Sequence, residues 1–187
     1  MPIIEPLLLA LEYRDKDTRQ HCERVMQLSY AMGSVLGLGS DEQQELCCAA
    51  LFHDIGKIGI PDAILAKQSN FDGHEWDRMR QHPIYGQNIL DLAEMHDVAL
   101  VVRHHHERYD GLGYPDGLSG KMIPLASRII GVADSYDAMA VTRTYHESKA
   151  HSEIMAVLQK EAGGKHDPEL VKLFVGIIGF SKWRAAK

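Results

Sequence analysis

Several things are scarce in this chain, and each scarcity closes off a class of protein. Cys22, Cys47 and Cys48 are its three cysteines in 187 residues, too few and too badly spaced for a disulfide framework or a thiolate zinc site. Cys47 and Cys48 stand side by side in an apolar helical stretch and read as small core residues. Long apolar runs are missing: nothing approaches the roughly 20 residues that a bilayer-spanning helix requires. The opening "MPIIEPLLLALEYRD" has neither the basic start nor the small-residue cleavage site of a signal peptide. Positive charge is short as well. A formal net charge of −6 argues against a nucleic-acid polymer as partner, although a few local cations can still hold a small anion. Strand-like alternation, internal repeats and low-complexity tracts are lacking. A reducing, cytoplasmic protein without a membrane segment is expected.

What is present is helical periodicity. His21, Val25, Leu28, Met32 and Leu36 recur at i, i+4, i+7, i+11 and i+15, one helix face. That face is apolar except for His21, which therefore points inward. Ser40 followed by Gln43 suggests a capping box opening a helix through "DEQQELCCAALFHD", ended by Gly56, Gly59 and Pro61. His82-Pro83 reads as a cap with proline at the first helical position. "DVALVVRHHH" reads as a short buried helix, and Glu107 to Pro124, rich in glycine, as the longest loop. Further helices are expected from Leu125 through "ASRIIGVADSYDAMA", over Glu147 to Glu161, and from Asp167-Pro168 onward. The expected fold is all-α, one domain over 1–187, a bundle of about six to eight helices. Residues 1–13 are compatible with a helix connecting to an upstream region, and residues 180–187 with a C-terminal tail.

The oddity is the count of 11 histidines. Periodicity and punctuation turn His21, His53, Asp54, His82, His105, His106 and Asp134 toward the interior. Singly, each has an ordinary reading: a buried histidine is commonly a hydrogen-bonded core residue, and Asp134 can cap a helix or pair with Arg128. Together they are costly, because each buried ionisable group loses its water. Shared cations would remove that cost. Imidazole and carboxylate without thiolate suit Mn, Fe, Ni or Zn better than Mg or Ca. Five histidines and two aspartates exceed one tetrahedral shell, so two ions are expected, with Asp54 bridging them. Two cations about 3.5–4 Å apart lower the pKa of a water and hold a phosphoryl group. The chemistry suggested is phosphoester hydrolysis.

"HDIGK", with an upstream histidine and a downstream aspartate, resembles the HD superfamily of metal-dependent phosphohydrolases. "HHERYDGLGYPDGLSGKMIPLASRIIGVADSYDAMAVTRTYH" is similar to the HD-GYP family, bacterial phosphodiesterases of the second messenger cyclic di-GMP. The resemblance runs from about Arg14 to Phe174. It implies the same seven metal ligands, and it leaves His104 spare. Where some members carry a glutamate for a third metal this chain has Asp17, so two divalent transition-metal ions are expected, Fe or Mn first, Ni or Zn as alternatives.

By the same resemblance, Lys57 and Arg143 would contact the substrate phosphates. His146 stands where the family has a basic residue, and Thr144 where it often has proline, departures that put affinity in doubt. Gly113, Tyr114 and Pro115 would form a pocket wall or pack the loop onto the bundle, and the loop is also a candidate contact for a GGDEF-domain partner. Asp54 would carry catalysis, and Lys57, Asp137 or a metal-bound water would supply the proton to the leaving oxygen. The implied activity is hydrolysis of cyclic di-GMP to pGpG or GMP. Two alternatives stay open: a non-hydrolysing cyclic-dinucleotide receptor, and a phosphodiesterase for another 3′,3′-cyclic dinucleotide. A homodimer is also left open.

Overall fold

Two close backbone crossings decide where the functional residues meet, and helix packing sets both up. The computed structural model describes residues 4–141, 149–179 and 185. Along it run α1 (Ile4–Arg14), α2 (Lys16–Leu36), α3 (Ser40–Phe52), α4 (Asp62–Leu65), α5 (Gly73–Met79), α6 (His82–Leu92), α7 (His96–Arg103), α8 (Leu125–Ala140), α9 (His151–Glu161) and α10 (Pro168–Ile178). Short 3-10 turns cover Ile55–Gly59 and Gly120–Met122. The expected all-α class is borne out. Among the described residues the only strand-like feature is an isolated bridge between Ala162 and His166. No helix among them is long and apolar enough to cross a membrane.

α2 is the central element, packed against α1, α3 and α8, while α6 pairs with α7 and α8 carries α9 and α10. Val25, Leu28 and Met32 on α2 join Leu46 and Phe52 of α3, Val102 of α7, Ile129 and Tyr136 of α8 and Phe174 of α10 in one core. Each such side chain contributes about 1.5–3 kcal/mol by leaving water. The face read from the sequence holds from His21 to Met32. Leu36 departs from it, 39% exposed, because the helix stops at Gly37, whose φ of 73° turns the chain away.

The caps refine the expected boundaries. Asp15 caps α2: its carboxylate accepts the Asp17 N–H at 3.0 Å and the Thr18 hydroxyl at 2.5 Å. α3 starts one residue earlier than a Ser40 cap requires. Gly39 is the cap, and the Glu42 carboxylate accepts its N–H at 2.9 Å; the anion also suits the positive end of the helix dipole. Gln43 instead donates to the Tyr30 carbonyl. Asp167-Pro168 opens α10 as expected, with Asp167 accepting the Glu169 N–H at 2.9 Å. α4 and α5 occupy a stretch where no helix was expected.

Gly56 makes the first crossing. A Cβ there would run into the His82 carbonyl and the Gly86 amide, so the turn after α3 and the start of α6 touch backbone to backbone. Gly113 makes the second, since a Cβ on it would strike the backbone of Glu107 and Arg108. Only glycine fits either place. The first brings His53 and Asp54 to His82; the second folds the long loop back over His106.

Candidate metal centre

Five imidazoles reach the centre from α2, the end of α3, the start of α6 and the segment after α7. What aims them is local. The His53 Nδ1–H donates to the Ala50 carbonyl at 2.8 Å, that of His82 to Met79 at 2.8 Å, and that of His105 to Val102 at 2.6 Å. A carbonyl can only accept, so Nδ1 carries the hydrogen and Nε2 presents a lone pair inward. His21 is fixed by a carboxylate instead: its Nδ1 donates to Asp137 Oδ2 at 2.6 Å, and Arg24 binds the same carboxylate at 2.7 and 3.0 Å. His106 lies between His105, with centroids 4.0 Å apart, and Tyr114, at 5.0 Å, its ring tilted to both by 41° and 35°.

The donors fall into two groups, His21 with His53 and Asp54, and His82 with His105 and His106, each with its ligand atoms within 4.8 Å of one another. Asp54 lies between them. Its Oδ2 is 4.0 Å from His21 Nε2 and 3.5 Å from His53 Nε2, and its Oδ1 is 3.4 Å from His82 Nε2. Asp134 joins through Oδ1, 3.0 Å from His21 Nε2. All seven residues named from the sequence therefore converge on one place. Lys57 is there too, its Nζ 2.6 Å from Asp54 Oδ2. The centre opens to solvent past Lys57 and Asp134, whose side chains are 22% and 20% exposed.

Two observations test whether the donors suit a cation. His53 Nε2 is buried and has no hydrogen-bond partner among the described residues. His82 Nε2 and His105 Nε2 face each other at 3.3 Å, and with both hydrogens committed to Nδ1 this sets two lone pairs against one another. A positive ion between such atoms satisfies both. The residues fit a metal.

The electrostatics agree. Burial holds His53 and His105 below the ordinary histidine range, His82 at about 4 and His106 at about 3. These rings are neutral and available as ligands near pH 7. His21 goes the other way: burial lowers it, but hydrogen bonds to Asp134 and Asp137 outweigh burial and raise it. Burial pushes the Asp54 and Asp134 carboxyls up. Lys57 on Asp54 and the His21 hydrogen bond on Asp134 outweigh it, and both lie well below the usual carboxylate range. Burial depresses Lys57 and the Asp54 carboxylate more than restores it, keeping the ammonium protonated.

Other expected residues fall around this centre. Tyr114 and Pro115 are half-buried beside it, joined by a cis peptide bond. Asp137 lies behind His21, not across the opening. Asp17 is exposed on the first turn of α2. Arg128 pairs with Asp167 rather than Asp134, at 2.6 Å. Arg143 and His146 lie outside the described residues.

Sequence reasoning missed the groups that hold the loop. Glu107 Oε1 accepts the N–H of Asp116 at 2.7 Å and of Gly117 at 3.1 Å. Arg103 grips Asp116 with two bonds of 2.6 Å, and His104 Nε2 meets the same carboxylate at 2.9 Å. His104, Glu107 and Asp116 also form a third donor group, but the guanidinium already neutralises Asp116, so this trio pins the loop. Arg24 was missed as well; its place three residues after His21, on the same helix face, was the available signal.

A family model described as HD domain matches residues 7–170 of this sequence. The chain belongs to the HD domain family. It is 39% identical over 168 residues to the cyclic di-GMP phosphodiesterase response regulator RpfG of Xanthomonas campestris, covering 88% of this chain and 44% of that protein. It is 34% identical over 176 residues to the 3′3′-cGAMP-specific phosphodiesterase 2 of Vibrio cholerae, covering 92% of this chain and 34% of that one. Among solved structures, an HDG"Y"P protein of Bdellovibrio bacteriovorus superposes with a TM-score of 0.72 at 23% identity, covering 88% of this chain and 53% of that one. The resemblance read from the sequence is borne out, and the HD-domain fold with it. This HD domain spans less than half the length of either curated relative.

Proposed function

We propose that this HD domain is a metal-dependent phosphodiesterase that opens cyclic di-GMP to pGpG and, by a second cut, yields GMP. The carrying observation is the Asp54 carboxylate, whose two oxygens face the imidazole nitrogens of two separate donor groups. In this reading His21, His53, Asp54 and Asp134 hold one divalent ion, and Asp54, His82, His105 and His106 hold a second. The nitrogen-rich donors favour Fe or Mn, with Ni or Zn compatible. Such a pair, when bound, lowers the pKa of a water and offsets charge on the phosphoryl group.

The protein's own groups do the rest. Asp137 holds His21 in place through Nδ1. Both its oxygens are engaged and its carboxyl lies below the usual range, since His21 and Arg24 outweigh its burial. It is therefore a positioning residue rather than the proton donor. Lys57, protonated at the mouth of the centre, is better placed to meet the phosphate and to give a proton to the departing oxygen. Gly113, Tyr114 and Pro115 wall the pocket on the His106 side, and the exposed part of their loop offers a surface to a GGDEF-domain partner. Arg143 and His146 add phosphate contacts in this reading. The three cysteines, all free, suit a cytoplasmic setting.

The Vibrio relative, named for 3′3′-cGAMP, favours one alternative substrate, the mixed dinucleotide. The test is protein reconstituted with Mn or Fe and supplied with cyclic di-GMP and 3′3′-cGAMP side by side, products being separated by chromatography. Linear product should form with about two metal ions per chain. Asp54→Ala should lower both the metal content and, by at least a hundredfold, the rate. No product from any cyclic dinucleotide in Mn, Fe or Ni would refute hydrolysis.

A further inference from the structure

α5 is a short helix with nothing buried, yet it is firmly built. Asp72 accepts the Glu75 N–H at 2.9 Å while Glu75 accepts the Asp72 N–H at 2.8 Å, a reciprocal capping box, and Lys67 also pairs with Glu75. Capping of this strength on a helix that adds nothing to the core points to what the helix displays. Four residues apart, at its end, stand Trp76 and Arg80. Trp76 is 45% exposed, with Phe71 edge-on at 5.3 Å bracing it. The Arg80 guanidinium lies 5.8 Å from the Trp76 ring and 5.8 Å from the Tyr114 ring, and Tyr114 in turn packs, tilted, against His106 at 5.0 Å. A row of planar groups thus runs from the outer surface to the metal centre.

Charge singles out the same spot. Near the centre, Lys57 pairs with Asp54 and is assigned above to the reacting phosphate, and Arg24 is committed to Asp137. Among the described residues Arg80 has only Asp77 at 3.9 Å, with both side chains more than half exposed. Its charge is held by ring faces rather than by a close carboxylate, and it stays open to an anion.

A cyclic dinucleotide carries two purines and two phosphodiesters, and the metal centre takes one phosphodiester at a time. The other half must lie outside it. We infer that Trp76 and Arg80 form an outer subsite for that uncut half of a purine cyclic dinucleotide: the indole stacks on the base and the guanidinium meets the second phosphodiester. The assignment rests on the function proposed above and adds the residues that recognise the distal half.

The test uses the full chain, metal-loaded, in a Trp183→Phe background that leaves Trp76 the single tryptophan of the two in the sequence. Cyclic di-GMP should quench its fluorescence saturably. Trp76→Ala and Arg80→Ala should each raise KM about tenfold, the size expected for one lost stacking or phosphate contact, with kcat moved far less. Trp76→Phe and Arg80→Lys should recover part of the loss, and melting temperatures should stay near wild type. Unchanged KM in both alanine variants, or fluorescence indifferent to saturating ligand, overturns the subsite while leaving the hydrolase reading in place. If the wild type turns over no cyclic dinucleotide, calorimetric binding decides: affinity that falls in the two alanine variants supports the subsite, and affinity that does not, or no binding, overturns it.

Discussion

Asp137 touches none of the inward-facing nitrogen atoms, yet it decides where His21 points, because the ring hangs from its carboxylate by Nδ1. Outer partners of this kind tune a ligand's orientation and basicity, and losing one typically costs about 10–100-fold in metal affinity. Asp137→Asn keeps the shape and removes the charge. It should weaken metal binding within that range by calorimetric titration while far-UV circular dichroism stays unchanged; wild-type affinity would show that His21 needs no such support. The inward aim of His21 was legible in the sequence, because its face continues in Val25 and Leu28. The role of Asp137 was not, since its partner is 116 residues away and no local period encodes that pairing. The same holds for His104. The run "HHH" shows three donors, but only the fold shows that the first of them turns to Asp116.

At the scale of elements, Gly56 is the constraint with the clearest outcome. A methyl group there meets the backbone of α6, which cannot yield as a flexible side chain would. Gly56→Ala should cost about 1–3 kcal/mol of stability, read as a shift in urea midpoint, and it should displace His82 and so lower metal content. A variant with full stability would mean that the crossing is looser than described. Helices that bury an apolar stripe were legible, as were starts marked by Asp167-Pro168. α5 was not, because a helix that buries nothing leaves no period to find. The cap of α3 was misplaced by one residue for a simple reason: Ser40 is a good cap by type, but the Glu42 carboxylate reaches the Gly39 N–H first.

For the whole molecule the buried imidazoles make stability depend on pH. His82 at about 4 and His106 at about 3 lie below the value of about 6.5 that the unfolded chain has. Between these limits the unfolded chain binds protons that the folded chain refuses, so stability falls as pH falls from about 6.5 toward 4. His21, raised by its carboxylates, has the opposite sign: its contribution is complete below its unfolded value and is lost as pH rises through the folded one. Five lowered rings, with His166 also at about 3, outweigh one raised ring. In chelator, the melting temperature should drop stepwise from pH 7 to pH 4. A flat profile would place the rings in water. Adding Mn should raise the melting temperature most near neutrality and progressively less in acid, because protons and cations compete for the same nitrogens.

The carbonyl anchors of His53, His82 and His105 have one last implication. Each of these rings takes its bearing from a residue three places upstream in its own segment, so none of the three depends on its neighbours for its heading. Fraying of one segment would retire a single contact and leave the others trained on target. Damage to such a cage should accumulate in instalments, with partial occupancy surviving where a mutually braced design would fail all at once.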